Sequence, residues 1–378
     1  MSSSRAPATL QRVAVSVFRA SYPSIVFLIV VELMLRLIWN LPSGYFNFLL
    51  PTFKGLYPAN ATIHNSWGHV PFVVETNALG LRGGPATQRK SRPRIVTIGD
   101  SMTEGFSVDN EHTYPQQLST YLEENGFDWE VLNAARAGGS IDKQLAICEH
   151  VGLPLQPDLV ILTFVTNDIA ELEGKTDDDI LHRQLDFRSS GTSRQSVWLW
   201  LVTRSASAEV LYRFYWNWRI RKAPEPRPLD DARRYSVRGG DDFTHNVRVF
   251  NEAYGDYDGI VLQAQFTPRA QHLIERYRVG LERFLELCAT KGALPVLVYF
   301  PAYPQVYDAA TPMTMRDVLR DFCAERKVAF CDLTPVFREP GRERVLHLAP
   351  LDFHLNPEGY RLMGRAIGAF LVERGLVR

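Results

Sequence analysis

The sequence predicts an α/β protein, with a parallel sheet of about five strands covered by helices on both faces. A membrane-spanning helix precedes the sheet and a mainly helical insertion interrupts it. Three observations predict this. Short apolar segments alternate with helix-length ones, the pattern of βα units. Asp158–Phe164 (DLVILTF) is continuously apolar, as a strand buried on both faces must be. Tyr22–Trp39 (YPSIVFLIVVELMLRLIW) is apolar over about the length that crosses a bilayer.

Taken in order, residues 1–45 read as a cytoplasmic amino terminus and a membrane anchor. Arg5, Arg12 and Arg19 precede the apolar run, and only Lys54 follows it before Arg82. The positive-inside bias then places everything after the anchor on the exterior or periplasmic side. Glu32 and Arg36 count against a span, at roughly 2.5–3.5 kcal/mol each near its centre. They stand four apart with the acid first, so they can pair on one helix face. No small-residue cleavage site follows, which favours an uncleaved anchor over a removed signal peptide. An interfacial amphipathic helix is the alternative.

Residues 46–93, rich in Gly, Pro and Asn from Pro51 onward, read as a connector with short strands. The remainder, 94–378, is the sheet-bearing domain. Its predicted strands are Arg94–Ile98, Trp129–Asn133, Asp158–Phe164, Leu294–Phe300 and Val328–Asp332. Predicted helices are His112–Asn125, Ser140–His150, Arg269–Lys291, Met313–Lys327 and Pro357–Arg374. Residues 169–266 break the rhythm as an insertion. It carries Trp198, Trp200, Tyr212, Phe214, Tyr215, Trp216 and Trp218 at helical spacing, then a basic, proline-rich stretch at Arg219–Pro228. A lid or substrate platform beside the crevice and a helical cap packed on the body are both open readings.

Composition narrows the function. Lys+Arg and Asp+Glu are 42 each, which leaves no electrostatic footprint for nucleic acid. Cys148, Cys288, Cys323 and Cys331 form no C-x-x-C pair and lie at no zinc spacing from histidine, which argues against metal ligation. Whether two of them form a disulfide is open.

The chemistry sits at the ends of the strands, where ligands bind in open α/β sheets. Gly99-Asp100-Ser101 leaves the first strand, with a glycine that permits a sharp turn and a hydroxyl at the rim. Asn133 through Gly138-Gly139-Ser140 leaves the second, and Val165-Thr166-Asn167-Asp168 leaves the third. Asp352-Phe353-His354-Leu355-Asn356-Pro357 opens the last helix. Together these supply what acyl transfer requires. A serine hydroxyl needs a base to accept its proton during attack. Histidine titrates near neutrality, and a carboxylate fixes its tautomer. Donors for the oxyanion are available from the N–H groups of Ser101 and Gly138 and the side-chain amide of Asn167. Asp100 and Asp168 read as groups that hold local backbone. His112 and His347 read as surface histidines.

These four stations in this order resemble the SGNH/GDSL hydrolase family, named for its catalytic serine, glycine, asparagine and histidine. The matching residues are GDS at Gly99–Ser101, N-x-x-x-x-G at Asn133–Gly138, TND at Thr166–Asp168 and DFHLNPEG at Asp352–Gly359. The resemblance implies Ser101 as nucleophile, Gly138 and Asn167 as oxyanion donors, His354 as general base and Asp352 as its partner. It also implies a flavodoxin-like three-layer α/β/α sandwich and no cofactor. Thr76–Gly83 (TNALGLRG) and the apolar amino-terminal segment look like members with an amino-terminal anchor. Two departures stand out. The family's usual aspartate lies three residues before the histidine, where this chain has Leu351, and Val165 replaces the usual glycine before the TND.

Competing signatures are absent: no G-x-S-x-G elbow, no H-E-x-x-H and no Walker loop, and S-x-x-K at Ser140–Lys143 lacks its companions. The expected function is a membrane-anchored serine esterase acting on an acyl ester of a carbohydrate or lipid-like alcohol. An O-acyltransferase using the same residues, and an inactive scaffold of the same fold, are the alternatives.

Overall fold

In the computed structural model the described residues are 6–39, 57, 59–67, 70–182, 194–221, 242–349 and 352–378. Arg5, Lys54, Leu351 and the basic stretch from 222 to 228 lie outside them. By internal contacts the chain divides into two units, Met1–Leu50 with Gly191–Pro226, and Pro51–Ser190 with Arg227–Arg378.

The larger unit holds the sheet. Strands β1 (Thr62–Trp67) and β2 (Val70–Glu75) pair as an antiparallel hairpin. Strands β3 (Arg94–Ile98), β4 (Glu130–Asn133), β5 (Leu159–Phe164), β6 (Leu294–Tyr299) and β7 (Ala329–Asp332) form a parallel sheet in the order β4-β3-β5-β6-β7. Counted along the chain that order is 2-1-3-4-5, the flavodoxin-like arrangement. Its reversal lies between β3 and β5, and open α/β sheets bind ligands beyond the carboxyl ends of the strands at such a reversal.

Alternation along each strand divides the core between the two faces. Val96, Ile98, Val160, Leu162, Phe164 and Leu297 face one layer, built on the helices Ile141–Ile147, Pro268–Lys291 and Thr314–Arg326. Ile95, Leu159, Ile161, Val296 and Val298 face the other, built on Tyr114–Glu124 and Pro357–Glu373. Each such buried aliphatic contributes roughly 1.5–3 kcal/mol. The result is the three-layer α/β/α sandwich with its parallel sheet of five strands.

Two glycines bring the Pro357–Glu373 helix close to Tyr114–Glu124. A Cβ at Gly364 would lie 2.6 Å from the Tyr114 carbonyl oxygen, and one at Gly368 would lie 2.3 Å from the Tyr121 ring. That close packing fixes the helix that follows the His354 turn. The four cysteines are buried free thiols.

The smaller unit is helical. Its first helix, Ala6–Trp39, contains the 18-residue window Ser21–Ile38, long and apolar enough to cross a membrane and not buried within the protein. Helices Arg194–Val202 and Ala206–Arg221, from the middle of the chain, belong to the same unit. The rest of the segment 169–266 that is described, including the helix Phe243–Tyr254, groups with the sheet.

Candidate active site

The serine turn follows from contacts at the end of β3. A side chain on Gly99 would place its Cβ 2.1 Å from the Thr103 hydroxyl, so only glycine fits there. Ser101 then opens a four-residue helix, Ser101–Glu104. Its cap is Asp100, whose Oδ1 accepts from the Met102 N–H at 2.9 Å. Asn133, at the end of β4, donates through Nδ2 to the carbonyls of Thr103 (3.0 Å) and Glu104 (3.2 Å). The second station thereby grips the first.

The histidine arrives from the far end of the chain. Asn356 caps the last helix through the Gly359 N–H at 2.9 Å, and the preceding turn presents His354 to the crevice. Phe353 is held between Phe250 and Tyr303, at 4.9 Å from each ring centre, and the imidazole packs 5.2 Å from Phe106. His354 Nε2 stands 2.7 Å from Ser101 Oγ, and Nδ1 stands 2.7 Å from Asp352 Oδ2. A hydrogen-bonded line therefore runs carboxylate, imidazole, hydroxyl. The two-residue spacing closes because the carboxylate also accepts from the His354 backbone N–H at 3.4 Å.

Electrostatics bias this line. Burial opposes a charged imidazole, but Asp352, then Asp100 and Asp258, outweigh it and hold the His354 pKa above its ordinary value. Burial likewise works against the Asp352 anion, yet His354 and its hydrogen bonds keep that carboxyl below the usual range. In this pairing the Asp352 carboxylate accepts and His354 Nδ1–H donates.

Asn167 opens the helix after β5, and its Nδ2 donates to Asp100 Oδ2 at 3.3 Å and to Glu171 Oε1 at 3.2 Å. Glu171 also accepts the Gly139 N–H. Gly138 has a left-handed backbone (φ +67°) and open space at its Cβ position, and its neighbour Gly139 links it to Glu171. Asp168 is fully buried. It accepts from the Val165 N–H (3.2 Å) and Gln144 (2.7 Å), and burial, then Asp100, drives its pKa well up. His347 is not a surface residue as expected. It is 2% exposed, its Nδ1 lies 3.0 Å from the Tyr307 hydroxyl, and burial lowers its pKa to about 3.

The matching family covers most of this unit. A family model for the GDSL-like lipase/acylhydrolase family matches residues 97–362. The chain belongs to that family. As a GDSL-like acylhydrolase it is an ester-hydrolysing enzyme. Its fold is similar to the lipase/acylhydrolase from Enterococcus faecalis, at 14% identity and a TM-score of 0.40, covering 76% of this chain and 97% of that one. It is similar also to a lipolytic protein of the G-D-S-L family from Veillonella parvula DSM 2008, at 15% identity and 0.37, covering 74% and 96%. An acetyl xylan esterase is similar at 12% identity and 0.39, covering 73% and 98%. Comparison with curated proteins finds no match.

Two groups around the acylhydrolase site are ones the sequence reading missed. Beneath the serine helix, Glu104 is buried against Arg136 (3.3 Å), the Tyr57 hydroxyl and the Ala137 N–H. Arg82 donates to the carbonyls of Glu104 (3.1 Å) and Gly105 (2.7 Å) and to Asn110 (2.8 Å). Beside the crevice, Asp258 joins Asp100 and Glu171. Burial and those two carboxylates raise its pKa to about 7. Burial, then Asp100, raises that of Glu171. The only sequence signal was the i,i+4 spacing of Asn167 and Glu171. Asp109, Glu111 and His112 bring ligand atoms within 4.8 Å of one another, but Asp109 already accepts the Val73 N–H at 2.6 Å.

Proposed function

We propose that this GDSL-like enzyme is a serine esterase that removes a short acyl group, acetyl in the first instance, from a carbohydrate or lipid-like alcohol. The observation that carries the reading is the unbroken line Ser101 Oγ–His354–Asp352, 2.7 Å at both joints. Ser101 attacks the acyl carbonyl while His354 Nε2 takes its proton. The tetrahedral oxyanion is met by the N–H groups of Ser101 and Gly138 and by Asn167 Nδ2, which turns from Asp100 and Glu171 to do so. Its collapse breaks the ester C–O bond, and His354 returns the proton to the departing alcohol. Water, deprotonated by the same imidazole, then releases the acid from acyl-Ser101. Asp352 stabilises the imidazolium in both halves.

Within this proposal the first helix anchors the enzyme in a membrane through Ser21–Ile38, with the catalytic unit on the exterior or periplasmic side. The arginines at 5, 12 and 19 support that orientation.

A panel of acyl esters assayed with the full chain and with Ser101→Ala tests the chemistry, alongside labelling by a fluorophosphonate. Turnover and labelling are expected in the parent and neither in the variant. A parent chain that hydrolyses no ester and stays unlabelled would overturn the reading.

A further inference from the structure

The smaller unit resolves the charge that spoke against its first helix being a span. Glu32 sits inside the apolar window, six residues before its end at Ile38. Its Oε1 accepts from the Ala206 N–H (2.9 Å) and its Oε2 from the Ser207 N–H (2.9 Å) and the Ser205 hydroxyl (3.0 Å). Arg36 donates to Glu32 at 2.8 Å and also reaches the Arg204 carbonyl. Ser205 in turn caps the Ala208 N–H through its hydroxyl (3.2 Å) and the Glu209 N–H through its carbonyl (3.0 Å). The first four N–H groups of the helix Ala206–Arg221 are thus all taken.

The preceding helix, Arg194–Val202, closes in the same way. The Thr203 hydroxyl takes the Trp200 carbonyl (3.1 Å), and the N–H groups of Arg204 and Ser205 take the Leu201 carbonyl (3.1 and 2.8 Å). The Arg204 guanidinium lies 5.1 Å from the Trp200 ring centre. In water none of this is required, because solvent satisfies helix ends. In hydrocarbon every such group must be satisfied internally. A carboxylate in a span is costly unless paired and hydrogen-bonded. Here each liability answers the other.

The outer surface agrees. Val197, Trp198, Trp200, Leu211, Phe214 and Tyr215 are 43–75% exposed, on helices that join a first helix whose own Phe27, Leu28 and Leu37 are 60–84% exposed. Apolar patches this continuous mark a membrane or partner surface, and continuity with the span selects the membrane. Depth follows from geometry. Six residues of helix place Glu32 about 9 Å inside the end of the window, within a half-core of about 15 Å. Ten residues of helix from Ala206 span about 15 Å, the depth of a half-core, and reach positions where the sequence has Trp216, Trp218, Arg219 and Arg221. Aromatic and basic residues are the ones that favour the headgroup level.

We infer that the segment Arg194–Arg221 is a re-entrant hairpin, seated in the lipid leaflet at the carboxyl end of the first helix and locked there by Glu32. The inference rests on the first helix spanning the membrane, as proposed above. It assigns this part of the insertion to the bilayer in place of a lid or a cap on the catalytic body.

The test uses the full chain in phosphatidylcholine vesicles, with one cysteine carrying a bimane fluorophore and doxyl-labelled lipid as quencher. Positions are Phe27→Cys on the first helix, Phe214→Cys on the hairpin and Arg320→Cys on the catalytic unit. The unsubstituted chain, whose thiols are buried, sets the labelling background. Loss of emission at 27 and 214 with none at 320 is expected. Glu32→Ala is expected to abolish the loss at 214 and keep it at 27. Quenching at 27 but not at 214 in the parent overturns the hairpin and leaves the anchor standing. Quenching at neither overturns both, and quenching at 214 unchanged by Glu32→Ala overturns the lock.

Discussion

Two clusters of buried charge flank Ser101, and they are built on opposite principles. Beneath the serine helix, Glu104 meets Arg136, and Arg82 spends its guanidinium on backbone carbonyls of the same helix and on Asn110. With Asp109 also acting on Arg82, anions and cations balance there, and Glu104 keeps its carboxyl below the usual range because, against burial, Arg136, Tyr57 and Arg82 favour the charged form. Around Ser101 on the other side, Asp100, Glu171 and Asp258 gather with no ion pair to Lys or Arg among the described residues, and burial pushes all three upward. The balanced cluster holds a backbone. The unbalanced one supplies a field, and the group that feels it is His354.

The largest expected effect tests the field at its closest point. Asp352→Asn removes the carboxylate on Nδ1 and should lower kcat by about 10⁴-fold, with the protein still folded. A rate near that of the parent would mean that another carboxylate orients the imidazole. Next, Arg82→Ala strikes the balanced cluster. Loss of a buried, multiply bonded cation should cost about 3–5 kcal/mol, read by urea unfolding. Lysine should not rescue it, since one ammonium cannot reach acceptors on separate segments.

Smaller effects belong to the crevice. Glu171→Gln should raise kcat/KM by about tenfold, equivalent to about 1.4 kcal/mol, because Asn167 no longer serves a competing carboxylate. A fall in kcat/KM would show that Glu171 positions the amide and does not compete for it. The pH profile supplies the last test. Only the neutral imidazole accepts a proton, so activity falls as pH drops through the raised His354 pKa, and the acid limb should lie above 6.5. Asp258→Asn removes an anion and should move that limb to lower pH by less than about one unit. Because Asp258 itself titrates at about 7, the change should be confined to the alkaline side of that value.

The sheet was legible in the sequence because each strand is a local apolar run, and β5 is buried at all six positions. Ser101, His354 and Asp352 were legible for a related reason. Each lies in a short contiguous motif at a strand exit or helix start, where backbone geometry alone orients the side chain. What escaped depends on closure between distant segments. Arg82 and Gly105 are 23 residues apart, and Glu32 and Ser207 are 175 apart. A polar residue read in isolation suggests solvent, as His347 did. Leu346 and Leu348 on either side of it were the available hint of burial.

The spacing of Asp352 from His354 has a mechanical meaning. Since the carboxylate binds both the ring and the main chain of the residue two places on, acid and base make one clip whose internal geometry survives when the segment shifts. Thermal excursions, inhibitors or neighbouring residues that displace this stretch alter a single variable, the gap to Ser101. Wear or tuning of the enzyme should then register as changes in how often that gap closes, with the tautomer of the ring left intact.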